Sequence, residues 1–308
     1  MGVSRRARII RKSMGSVLIT DDDVPLEQRR ARMERMSTLP RPRGLHYVER
    51  SIPGPAGDIP ALVATPAATS PERDILYFHG GGYVLGSPRS HTALAARLAR
   101  RAASRITVID YRLAPEHPYP AAVDDCVAAY RALIAEGIAP ERLVVAGDSA
   151  GGGAALCTLQ RLSDAGDPLP AGAYLLSPWT DLSASGETVS TKADVDPMLR
   201  AHLIREMAKL YAGHVALDDP GLSPLFADLA GLPPMLIQTG EDEVLLSDST
   251  RLAERARAAG VDVRLDVRSA MWHVYQALAG FMPEADEALV RGAVFIRRVA
   301  PAVENTAV

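Results

Sequence analysis

Leu143-Val144-Val145-Ala146-Gly147-Asp148-Ser149-Ala150-Gly151-Gly152-Gly153 is the stretch from which the rest of the chain is best read. Four apolar residues suit a buried strand, the run from Gly152 to Gln160 suits a helix, and G-x-S-x-G sits where the two meet. A serine on such a turn is carried on a sharp bend, and the flanking glycines leave room for close backbone approach. Its hydroxyl is then exposed at a helix N-terminus, where the peptide dipoles favour a developing negative charge. The plainer reading is a tight strand-to-helix turn with a capping serine.

Upstream, the apolar run Ile75-Leu76-Tyr77-Phe78 ends in His79-Gly80-Gly81-Gly82. Three glycines after a buried strand let backbone N–H groups turn towards one point, as an oxyanion site requires. A phosphate loop is disfavoured, because neither G-x-x-x-x-G-K-[ST] nor a helix-opening G-x-G-x-x-G with a downstream acid accompanies them. A serine hydroxyl needs a base and a group to orient that base. His273, in Ser269-Ala270-Met271-Trp272-His273-Val274, follows the last predicted strand and is the only histidine beyond residue 214. The others are His46, His79, His91, His117, His202 and His214. For the acid, the run Met235–Gly240 is followed by Glu241, Asp242 and Glu243, with Asp248 further on. Spacing does not choose among them.

Outward from these motifs, short β-branched runs alternate with longer helical patterns. The expected strands are 45–52, 61–65, 75–80, 106–111, 142–147, 173–177, 235–240 and 261–267. Helices are expected over 90–103, 121–137, 150–165, 247–260 and 283–299. Such alternation predicts an α/β fold, a mostly parallel sheet of about eight strands with helices on both faces and an antiparallel start. Two segments break the rhythm. In residues 1–43, Val24, Leu26, Met33 and Met36 could form one apolar helical stripe. Residues 192–217 form an insertion whose helix is expected to open at Pro197 and end at Gly213. Insertions after a strand's C-terminal end lie where α/β sheets bind ligands, so the two pieces are expected to pack together as a cap over a catalytic domain spanning 44–308.

The chain has 308 residues, 34 basic and 37 acidic side chains and a net charge of −3. Its 47% hydrophobic and 23% charged residues are those of a globular protein with a sizeable core, which excludes collagen, coiled coil and general disorder. The charge balance argues against a nucleic-acid binder. Cys126 and Cys157 cannot build a disulfide framework or a zinc site unaided and read as buried helix residues. The basic start (Arg5, Arg6, Arg8, Arg11, Lys12) lacks a signal-peptide core and reads as a solvated arm or helix face. No window suits a membrane span, so a cytoplasmic protein without stable membrane insertion is expected.

HGGG, then YRLAPEHPYPAAVDD, then GDSAGG, then a late histidine, together resemble the hormone-sensitive-lipase-like branch of the α/β-hydrolases, the bacterial family IV esterases. The likeness runs from about Leu45 to the C-terminus, the cap segments matching only in placement. It implies an α/β-hydrolase fold and a serine carboxylester hydrolase acting on small, uncharged, short- to medium-chain esters through an acyl-enzyme, with no metal or organic cofactor. Lactone or amide hydrolysis by the same residues, or a non-catalytic small-molecule receptor on the same fold, are the alternatives. By resemblance, Ser149 is the nucleophile, His273 the base, the N–H groups of Gly80, Gly81 and Ala150 the oxyanion donors, and His79 a shaper of the glycine loop. Many relatives place an aspartate followed by Pro-Leu at the acid; ungapped alignment on the following helix puts Glu243 there, with Asp242 as the alternative. Tyr111, Arg112, Pro115, Glu116 and Pro120 match a loop that braces the glycine turn. Trp179 and Trp272 could line an acyl pocket or pack the core; Met198, Leu203, Met207, Leu210 and Tyr211 could be cap core or specificity residues. The last strand is a natural edge for a homodimer through 261–267, unless Asp262, Arg264 and Asp266 oppose pairing.

Overall fold

The computed structural model describes residues 3–14, 24–35, 40–68 and 71–302. Eight strands form one sheet: β1 (Leu45–Gly54), β2 (Gly57–Pro66), β3 (Asp74–Phe78), β4 (Arg105–Ile109), β5 (Leu143–Asp148), β6 (Gly172–Leu176), β7 (Met235–Gly240) and β8 (Val263–Arg268). Their order is β1-β2-β4-β3-β5-β6-β7-β8, antiparallel across β1/β2/β4 and parallel from there on. Among the described residues the helices are α1 (Arg5–Met14), α2 (Leu26–Glu34), α3 (Pro88–Ala102), α4 (Ala121–Ala135), α5 (Ala150–Ala165), α6 (Thr188–Thr191), α7 (Ala201–Ala212), α8 (Leu246–Ala258) and α9 (Pro283–Val299).

The central strands are continuous apolar runs because both faces are covered. Every residue of β3, β5, β6 and β7 is buried, whereas β1 and β8, at the two edges, are partly exposed. Side-chain alternation divides the core. Leu76, Phe78 and Val145 pack with α4, α5 and α8, while Ile75, Tyr77, Val144 and Ala146 pack with α3 and α9. Cys126 and Cys157 are free thiols buried on α4 and α5.

The segments outside the rhythm touch the core at chosen points. In α1 only Ala7 is buried, under α9, where Ser4 donates to Glu284. Met33 of α2 joins the other face, with half-buried Leu26 packed against the same cluster; Val24 is buried, and Met36 lies outside the described residues. Arg29 of α2 makes two hydrogen bonds to Glu206 of α7, at 2.9 and 3.2 Å.

Pro197 does not open a helix. Asp196 Oδ1 accepts from the N–H groups of Met198 and Leu199, and Arg200 stays extended as the residue before α7, so the helix begins four residues later. A local side-chain acceptor has outcompeted the helix start. Gly213, at positive φ, does end α7. The excursion between β6 and β7 also begins before residue 192, since α6 precedes it. β8 is an edge strand; its Asp266 pairs with Arg291 of α9, and Asp262, just before the strand, pairs with Arg298.

Candidate active site

Ser149 sits between β5 and α5 at φ 53°, ψ −121°, a conformation that side-chain-bearing residues rarely adopt. The bend is held from several directions: Ser149 N–H donates to Leu176 O at 2.9 Å, and Ser149 O accepts from Gly152, Gly153 and Trp179 N–H. Gly151 explains the motif physically. A Cβ there would collide with the carbonyl oxygens of Phe78 and His79, so only glycine lets α5 approach the end of β3. Parallel pairing of β3 with β5 sets Phe78 opposite Gly147, and the two glycine-rich turns meet.

The glycine turn is shaped around a buried ion pair. Asp148 Oδ1 accepts from Tyr77 Oη at 2.7 Å and from Gly80 N–H at 3.1 Å, and Asp148 Oδ2 faces His91 Nε2 at 3.4 Å. Burial alone would raise the Asp148 carboxyl pKa; the charge and hydrogen bond of His91 outweigh it and hold it below the ordinary value. Burial likewise opposes the His91 charge, yet Asp148 pulls that pKa above 6.5. His79 goes the other way, to about 3, through burial and the neighbouring His91 charge. A neutral His79 donates through Nδ1 to Gly80 O at 2.9 Å and stacks on Tyr111, whose hydroxyl donates to His79 O. Gly81, at φ +124°, turns the chain so closely over Leu85 that a Cβ would strike its carbonyl.

Of the expected oxyanion donors, Gly80 N–H is already engaged by Asp148 and can serve an oxyanion only as a shared donor. The Gly81 and Ala150 N–H groups have no hydrogen-bond partner among the described residues. The loop after β4 braces this turn: Ala114 N–H donates to Tyr83 O, and Arg112 clasps Asp125 through Nε and Nη2. Arg30 of α2 reaches Ala114 O, Val84 O and Glu116.

His273 and Glu243 meet on the other side. His273 Nδ1 lies 2.7 Å from Glu243 Oε2, and both residues are buried. Glu243 Oε1 accepts from Ser177 Oγ at 2.9 Å, Thr239 Oγ1 and Gly240 N–H, so the carboxylate is hydrogen-bonded on both oxygens. Burial disfavours the His273 charge, but the Glu243 hydrogen bond and charge, with Asp196 and Asp148 beyond, raise its pKa above 6.5. The tip of β6 links the halves. Leu176 O holds Ser149 N–H, while the next residue, Ser177, binds Glu243 and accepts Val274 N–H at 3.1 Å. Among the described residues no hydrogen bond joins Ser149 Oγ to the His273 ring. Such bonds are often long without substrate and tighten in the complex.

The remaining acids have other partners. Asp242 pairs with Arg11 at 2.6 Å, Glu241 accepts Ala270 N–H, and Asp248 is buried against the Thr180 and Asp181 N–H groups with its pKa pushed up to about 7. The tryptophans part company. Trp272 fills the core beneath α3 and α9, whereas Trp179 stands beside Tyr83, which stacks on Tyr211 of α7 at 3.8 Å. Met207 of α7 lies over Gly82. Ser177, Thr239, His91 and Asp196 escaped the motif reading; Ser177 alone carried a signal, as a polar residue ending an apolar strand.

Residues 75–277 match the family described as alpha/beta hydrolase fold. An esterase of the bacterial hormone-sensitive lipase family superposes with a TM-score of 0.92 at 38% identity, covering 97% of this chain and all of that one. The chain belongs to the hormone-sensitive-lipase-like esterases of the α/β-hydrolase superfamily. This esterase is also similar to an acetyl-hydrolase of Streptomyces hygroscopicus, 43% identical over 225 residues, 73% of this chain and 75% of that one. Carboxylesterase NlhH of Mycobacterium tuberculosis is 36% identical over 286 residues, 89% of each chain. No helix among the described residues of this esterase is long and apolar enough to cross a membrane.

Proposed function

We propose that this carboxylesterase cleaves small esters through Ser149, His273 and Glu243. The observation that carries the reading is the 2.7 Å contact of Glu243 with His273, tied through Ser177 and Leu176 to the Ser149 turn. Ser149 Oγ attacks the ester carbonyl as His273 takes its proton, and Glu243 stabilises the imidazolium. The tetrahedral oxyanion is held by the Gly81 and Ala150 N–H groups, with Gly80 sharing its own; donors of this kind are worth about 3–4 kcal/mol each. His273 returns the proton to the departing alcohol, leaving an acyl-enzyme. Water then attacks as His273 takes its proton, and His273 returns that proton to Ser149 Oγ as the intermediate collapses and releases the acid.

Short acyl groups fit best. Tyr83, Tyr211, Trp179 and Met207 crowd the space beside the Ser149 turn, and the Streptomyces relative is named an acetyl-hydrolase. In this reading α1, α2 and α7 form the cap, and two copies pair along β8, which light scattering would reveal. The test of the chemistry is fluorophosphonate labelling and 4-nitrophenyl ester turnover. Wild type should label and should favour acetyl over longer acyl chains, and Ser149→Ala should do neither; an active Ser149→Ala overturns the reading.

A further inference from the structure

A cavity of about 800 Å³ lies between α1 and residues 194–200. Its wall carries Arg5, Arg8, Arg11, Lys12 and Arg200 against only Asp194 and Asp196, a local excess of positive charge in a chain whose net charge is −3. Some of these groups are already engaged. Arg11 binds Asp242 and Val195 O, Arg200 donates to Asp196 O, and Asp196 accepts three backbone N–H groups. Arg5, Arg8 and Lys12 are exposed and have no ion pair among the described residues. With Ile9 they occupy positions i, i+3, i+4 and i+7 of α1, one continuous stripe. Ile9 is 58% exposed, and Val195, 42% exposed, lies on the opposite wall with Pro197.

The cavity adjoins the loops of the proposed triad. Asp196 holds the N–H of Val244, the residue after Glu243, and Arg11 binds both Asp242 and the carbonyl of Ala270, three residues before His273. A leaving alcohol must depart within reach of the imidazole that protonates it. The cavity adjoins the loops that carry the proposed acid and base, and like charges lining a concave wall focus their field on an anion.

We propose that this cavity binds an anionic group, carboxylate or phosphate, carried on the alcohol portion of the substrate, with Ile9, Val195 and Pro197 covering the apolar body that bears it. The inference rests on the esterase reading and replaces the expectation of an uncharged substrate. Its test compares 4-acetoxybenzoate with the neutral methyl 4-acetoxybenzoate in wild type and in Arg5→Glu/Arg8→Glu/Lys12→Glu, with Arg8→Gln/Lys12→Gln as the milder variant should the triple one not fold. The anionic-to-neutral ratio of kcat/KM should fall at least about tenfold on charge reversal, and wild type should lose most of its preference at 0.5 M salt. Calorimetry on Ser149→Ala separates binding from chemistry: the anionic ester should bind about tenfold tighter than its methyl ester, even if neither is hydrolysed by wild type. An unchanged ratio in a folded variant overturns the proposal. So does charge reversal that abolishes sedimentation with phosphatidylglycerol vesicles and leaves the ratio untouched.

Discussion

Two buried carboxylates, Asp148 at the end of β5 and Glu243 just beyond β7, are built from the same parts. Each accepts a main-chain N–H and a side-chain hydroxyl, and each faces an imidazole. Their imidazoles differ. His91 sits with Nε2 towards Asp148 and Nδ1 within 3.2 Å of Ser87 O, so both ring nitrogens are committed to the protein. His273 meets Glu243 through Nδ1, and among the described residues no hydrogen bond occupies its Nε2. One couple holds a turn; the other, in the proposed mechanism, moves a proton. A buried His–carboxylate pair becomes functional only when one ring nitrogen is left for something else.

Removing the proposed nucleophile is the most severe test. Ser149→Ala should lower kcat for an activated acetyl ester by up to about a million-fold with unchanged circular dichroism. Glu243→Gln breaks the proposed catalytic couple while keeping its shape, and kcat should drop by about ten thousand-fold, as expected for an imidazole lacking its anionic partner. Asp242→Asn should stay within about threefold of wild type, because that carboxylate is bound to Arg11; a loss comparable with Glu243→Gln would exchange the two roles.

The structural couple should answer in stability. His91→Ala leaves Asp148 buried without its cation and should cost about 3–5 kcal/mol in urea unfolding. A loss below about 1 kcal/mol would mean that Asp148 does not depend on the pair.

pH separates the couples further. Because the folded His91 pKa is raised, its contribution is complete below the unfolded value of about 6.5 and fades as pH climbs through the folded one. The stability gap between wild type and His91→Ala should therefore narrow at alkaline pH, when compared by urea titrations at pH 6 and pH 9. For His273 the same direction of shift places the acid limb of kcat/KM above pH 6.5, since the base must be neutral to accept a proton. A midpoint below 6.5 would show that Glu243 does not stabilise the charged ring.

All eight strands and the helices α3, α4, α5, α8 and α9 were legible locally, because a buried parallel sheet demands unbroken apolar runs and helices between them demand their own period. Ser149 and the glycine turn were legible for a related reason: at Gly81 and Gly151 a Cβ would strike neighbouring carbonyls, so the requirement is written in the residue itself. His273 could be reached by chain order. The proposed acid could not be chosen by spacing, since Glu241, Asp242 and Glu243 are consecutive and differ only in what faces them. Tertiary packing decided that Arg11 takes Asp242, Ala270 takes Glu241, and His273, Ser177, Thr239 and Gly240 surround Glu243. The same holds for His91 and Asp148, a pair 57 residues apart whose meeting no local pattern encodes, and for the basic wall on α1, which becomes a cavity only against residues 194–200. Backbone conformation is a short-range property of the residues that adopt it; which charge faces which is set by the assembled fold.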